Sequence, residues 1–102
     1  MGTGPNDAKV IRRASRVLKI LSHPSRLRLI ELLSAKKHSV GNLTKLLSCE
    51  QAVISKHLAL LKKAGLVACE RERNYRYYYL ERPEILKILE CVRSACRKGG
   101  TP

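Results

Sequence analysis

Two amphipathic segments only three residues apart, Val40–Leu47 and Gln51–Ala64, constrain this 102-residue chain more than any other feature. Ser39 or Val40 opens the first, and its apolar side chains Val40, Leu43, Leu46 and Leu47 are spaced to face inward. Ser48-Cys49-Glu50 reads as a tight turn, and Gly65 can take the left-handed conformation that stops the second helix. The pattern predicts a helix-turn-helix. At about 100° per residue, Val53, Ile54, Leu58 and Leu61 form an oily arc on the second helix, with His57 and Leu60 in or near it. Gln51, Ala52, Ser55, Lys56, Ala59, Lys62 and Lys63 fill the opposite arc. A merely solvated face mixes Glu with Lys, whereas no acid occurs between Gln51 and Ala64.

The flanking sequence builds around this pair. Asn6 or Asp7 is suited to cap a first helix running to about Leu21, with Val10, Ile11, Ala14, Val17, Leu18 and Leu21 in one stripe. His23-Pro24 interrupts it, and Pro24 suits the first turn of a second helix, Pro24–Ala35, that buries Leu27, Leu29, Ile30 and Leu33. Lys36-Lys37-His38 reads as a polar connection with His38 exposed. After Gly65, Leu66–Glu70 and Tyr75–Leu80 read as two strands. The turn between them is Arg71-Glu72-Arg73-Asn74, in which Asn74 tolerates positive φ. Tyr78 is expected to pack inward with Leu80, and the alternate tyrosines to cover the ribbon's other face. Pro83 starts a last helix ending near Arg97. The expected fold is mainly α with a small β-hairpin: a winged helix-turn-helix of about five helices and a two-stranded wing. Residues 6–98 read as a single domain, and the Gly/Pro-rich stretches 1–5 and 99–102 as flexible ends.

Charge narrows the partner. Lys and Arg number 21 against 8 acids, a formal net charge of +13, which calls for a polyanion. Nucleic acid is preferred over an anionic membrane surface as that partner, and no segment reaches the roughly 18 uninterrupted apolar residues of a membrane span. Met1–Lys9 lacks the apolar core of a secretory signal, so a cytoplasmic location is expected. No Ser/His/Asp set, Gly-rich phosphate loop or credible carboxylate pair points to an enzyme. On the second motif helix Gln51 is suited to adenine and Ser55 to donating or accepting. Ala52 and Ala59 allow close approach, Lys56 can reach a base or phosphate, and Lys62 and Lys63 suit phosphate. His57 faces the core and is expected to be structural. Ser48 in the turn, and Arg71, Arg73, Asn74 and Arg76 around the hairpin tip, complete the candidate DNA contacts. The competing function is a basic RNA-binding or ribosome-associated winged-helix protein, disfavoured because duplex RNA hides its major groove.

Four segments, Leu21–Leu33, Val53–Leu61, Ala64–Val67 and Tyr77–Leu80, resemble the ArsR/SmtB family of winged-helix repressors in order and spacing. The resemblance covers about residues 8–97. It implies a homodimer joined by the first and last helices, bound to a palindromic operator of double-stranded DNA and released by an inducer. The family's known inducer sites do not transfer. Ser39-Val40-Gly41 stands where arsenic sensors carry Cys-Val-Cys. Arg82, Glu84, Ala95 and Lys98 stand where zinc sensors carry Asp, His, His and Glu. Glu31 takes the first thiol position of persulfide sensors, and Cys96 lies close to the second.

The remaining sensor candidates are Cys49, Cys91 and Cys96. Cys49 sits just before a helix N-terminus, a position that favours a reactive thiol. Cys91 and Cys96 lie five apart on one helix, about 140° from each other, so they cannot share a metal or a disulfide within it. Cys96 falls on the stripe of Ile85, Leu89 and Val92 and is expected near the dimer seam. Cys69 falls on the first strand. Thiol-based redox or reactive-sulfur sensing is favoured over a soft metal held by thiolates from two chains, with buried, inert thiols as the plain alternative. No metal or other cofactor is assigned.

Overall fold

The computed structural model describes residues 5–99. The ends expected to be flexible fall almost wholly outside that range, as do the side chains of Asn6 and Lys98. Five helices and three strands follow in order: α1 Pro5–Leu21, α2 Pro24–Ala35, β1 His38–Ser39, α3 Val40–Leu47, α4 Gln51–Lys63, β2 Val67–Glu72, β3 Tyr75–Leu80 and α5 Ile85–Gly99.

Local chemistry sets most boundaries. The His23 imidazole caps α2 by accepting from the Ser25 amide at 3.2 Å, and Pro24 occupies the first turn. Ser39 caps α3 by accepting from the Asn42 amide at 3.1 Å. Ser48 ends α3 in the left-handed region, at φ 53°. α4 ends in a Schellman motif. Gly65 at φ +80° donates to the Lys62 carbonyl and Leu66 donates to that of Leu61, while both leucine side chains are buried.

The core is one cluster: Leu21, Leu29, Ile30, Leu33, Leu43, Leu47, Ile54, Leu58, Leu61, Leu66 and Val67. Tyr78, Leu80, Ile85, Leu86 and Leu89 pack against it from the sheet and α5. Leu27 and Val40 are only half-buried. Leu46, expected inside, is exposed, because the α3 face that meets α4 is taken by Leu43 and Leu47. In α1 only Val17, Ile20 and Leu21 reach the core. Val10, Ile11 and Leu18 of the predicted stripe stay exposed, as do Ile88 and Val92 of α5.

The wing departs from expectation in three ways. It has a third strand, in the order β1-β3-β2, because His38 and Ser39 pair with Tyr78 and Tyr77 on the free edge of β3. That pairing takes His38 out of solvent, to 6% exposed, where the Asn42 side-chain amide donates to its Nδ1 at 2.6 Å. The hairpin is also tighter than predicted. Arg71 and Glu72 belong to β2, Glu72 pairs with Tyr75, and only Arg73 and Asn74 turn the chain. Arg73, not Asn74, takes the positive φ, at 59°.

Candidate nucleic-acid interface

α4 presents two faces. Ile54, Leu58 and Leu61 are fully buried, and His57 is 9% exposed. Gln51, Ala52, Ser55, Lys56, Ala59, Lys62 and Lys63 are all exposed. The predicted partition fails at one position: Val53, placed in the oily arc, is 43% exposed. Its direction lies about a quarter-turn from the centre of the buried arc, so packing rather than period decides its side. Ser48 is exposed in the turn before α4.

α4 is held by a polar anchor beneath it. Arg26 Nε donates to His57 Nδ1 at 3.1 Å, and the same guanidinium donates to the Ile20 carbonyl at 3.0 Å. The His23 ring stands 4.6 Å from the His57 ring. Accepting at Nδ1 leaves the neutral His57 with its proton on Nε2. Burial holds its pKa below the ordinary histidine value, reinforced by His23, Arg26 and Lys56. The structural role expected for His57 is met, and Arg26 and His23 are partners the sequence reading did not identify.

Direct partners across the wing share a face. Val67, Cys69 and Arg71, opposite Leu80, Tyr78 and Arg76, form the face turned to the core and α4. Lys62 Nζ of α4 lies 3.4 Å from Cys69 Sγ, which ties the C-terminal half of the helix to this face. Arg71 stands on the same face about 7 Å further out. Directly opposed like charges repel, so the side chains of the exposed Arg71–Arg76 pair do not stabilise the hairpin and leave two guanidiniums available to an anion. Arg73 and Asn74 are exposed at the tip.

The wing's acids are directed elsewhere. Glu70 and Glu72 lie on the opposite face with Tyr75, Tyr77 and Tyr79. Lys37 reaches across to them, 2.9 Å from Glu70 and 2.7 Å from Glu72, with its ammonium 5.2 Å from the centre of the Tyr77 ring. Hydrogen bonds to Glu72 and then Glu70 hold Lys37 well above the ordinary lysine range. No local pattern could reveal this clamp, because its partners lie 33 and 35 residues away in sequence.

All four cysteines are free thiols. Cys49 is half-buried in the turn, its Sγ donating to the Leu47 carbonyl at 3.4 Å, whereas Cys91 and Cys96 are exposed on α5. Glu31 makes an ion pair with Arg93, joining α2 to α5. Among the described residues no group of three or more His, Cys, Asp or Glu side chains could hold a metal ion, and no helix is long and apolar enough to cross a membrane.

Comparison with known proteins gives this arrangement a family. A family model for a helix-turn-helix domain matches residues 21–70. The uncharacterized HTH-type transcriptional regulator Rv0081 of Mycobacterium tuberculosis is 37% identical over 76 residues, spanning 74% of this chain and 67% of that protein. Its crystal structure matches with a TM-score of 0.75 at 30% identity, over 94% of this chain and 93% of that one. The biofilm growth-associated repressor of Agrobacterium fabrum is 34% identical over 84 residues, 79% of this chain and 72% of that protein. The homodimeric winged helix-turn-helix DNA-binding domain of Mb0332 from Mycobacterium bovis, a possible ArsR-family regulator, shares the fold with a TM-score of 0.84 at 23% identity, over 96% and 91% of the two chains. Sequence and architecture agree that the chain belongs to the ArsR/SmtB family of winged helix-turn-helix, DNA-binding transcriptional regulators.

Proposed function

We propose that the chain is a sequence-specific repressor, cytoplasmic and homodimeric, that lays α4 of each protomer in the major groove of a palindromic operator. The observation that carries this reading is the acid-free, exposed strip of Gln51, Ala52, Ser55, Lys56, Ala59, Lys62 and Lys63, continued by Lys62 into the guanidiniums of the wing. Gln51, Ala52 and Ser55 lie against base edges, with Lys56 beside them. Ser48, Lys62, Lys63, Arg71, Arg73, Asn74 and Arg76 hold the phosphates on either side. The exposed apolar side chains of α1 and α5, which a second copy would cover, support dimerisation through those helices. Two-fold symmetry then sets the recognition helices about 34 Å apart, one turn of DNA.

Release by thiol chemistry is the favoured signal. Cys49 sits in the turn that sets α4 against α3, so an added oxygen, sulfur or alkyl group there displaces the reading helix. Cys91 and Cys96 are open to reagents on α5.

The test titrates the purified protein against its own promoter duplex, a scrambled duplex and duplex RNA of equal length, at two salt concentrations. Preference for the promoter, with a steep salt dependence, supports the reading. Preference for RNA overturns it in favour of an RNA-binding role. Footprinting before and after peroxide, persulfide or soft-metal treatment tests the signal. A variant lacking all four thiols that still responds would refute thiol sensing.

A further inference from the structure

Val53 is the single large aliphatic side chain exposed on α4, at 43%, while Ile54, Leu58 and Leu61 of the same helix are at 0%. It lies in the first turn, the part of a recognition helix that meets base edges, directly after Gln51 and Ala52 and one turn before Lys56. Its exposure serves no local purpose, since valine is a poorer helix former than the alanine and lysine around it. Its two methyls are nearly locked in one χ1 rotamer, so ordering them against a ligand costs little entropy. Along the major-groove edges only one group is apolar, the 5-methyl of thymine.

We propose that Val53 is a specificity-determining residue whose isopropyl group packs on the 5-methyl of one thymine in each half-site. The inference rests on the DNA-reading role proposed above and adds a base that the polar side chains of α4 do not read. It also predicts what discriminates that position: the methyl itself, not a hydrogen bond.

The test begins with selection from a randomised duplex library using the full-length protein. The enriched duplex is then remade with deoxyuridine, which lacks the methyl, replacing each thymine in turn. Wild type is expected to bind about threefold to fivefold more weakly per half-site at one thymine position. Val53→Ser should bind the thymine and deoxyuridine duplexes equally at that position, while keeping its preferences elsewhere. Equal binding of wild type to every deoxyuridine duplex, or discrimination retained by Val53→Ser, overturns the assignment. A library that yields no enriched sequence overturns the DNA-reading role itself, a different result from indifference to the methyl. Because Val53 is exposed, an unchanged melting curve for Val53→Ser separates lost contact from lost folding.

Discussion

His57 shows how one side chain can serve the core while sitting on the helix that carries the candidate DNA strip. The groups facing it are His23 from the α1–α2 junction, Arg26 from α2 and Lys56 from its own helix, and none is acidic. Protonation would remove the acceptor for Arg26 and add a cation among cations. His38 is likewise held neutral by burial, with Lys36 adding to the effect. Both folded pKa values lie below the ordinary 6.5, so the unfolded chain takes up protons first. The associated stability is complete above that value and is lost as pH falls through the lower, folded values. Urea midpoints should therefore be flat above neutrality and fall as the pH drops below about 6.5, and His57→Gln should flatten that slope although it lowers the midpoint itself. On the outer face, Gln51→Ala or Ser55→Ala should each cost about 1–3 kcal/mol of operator affinity and leave scrambled DNA unaffected. Equal loss on both duplexes in a fluorescence titration would contradict the base-reading role proposed for them. Arg73 combines a strained turn with a free charge. Arg73→Gly should gain up to about 1 kcal/mol of stability by relieving the positive φ, yet weaken all DNA alike and reduce the salt slope by about 1.

At the scale of elements, ends matter as much as faces. A methyl group added at Gly41 or at Gly65 meets nothing within 4 Å, so backbone conformation alone separates the two. Gly65 is at φ +80° in the Schellman motif, and Gly65→Ala should cost about 1 kcal/mol. Gly41 lies inside α3, and Gly41→Ala should gain about 0.5 kcal/mol. Opposite shifts in urea midpoint are the check, and shifts of the same sign would refute the backbone argument. Most element ends were legible because their causes are local: Pro24 for α2, Ser39 for α3, Gly65 for α4. β1 was not. Nothing in Lys36-Lys37-His38 signals a strand, which exists because Tyr77 and Tyr78 offer it an edge. The two faces of α4 were legible except at Val53, whose helical direction falls on the boundary between them.

The whole molecule is more extended than its length requires. Its radius of gyration is 15.3 Å, against about 13 Å for a compact domain of 100 residues. Among the described residues, Val10, Ile11, Leu18, Ile88 and Val92 are the large aliphatic side chains left open on α1 and α5. On the proposal that these faces form the dimer contact, Leu18→Lys combined with Val92→Lys should yield a monomer by sedimentation. Operator affinity should then fall by at least tenfold, because the half-sites would no longer be bound as one unit. A double variant that stays dimeric would place the contact elsewhere.

Sequence by itself determined what depends on neighbours within about one helical turn: caps, stops, the helix-turn-helix spacing and the acid-free strip. It also set the overall charge, and hence the class of partner. Tertiary structure decided what depends on residues distant along the chain. It buried His38 beneath a third strand, drew Lys37 across the sheet to Glu70 and Glu72, hung α4 on Arg26, and left Val53 and Leu46 uncovered. The division follows from range. A hydrogen bond within a turn is specified by a few consecutive residues, whereas burial is set by every segment that packs onto a surface, and side chains on the border of a face are settled only when those segments meet.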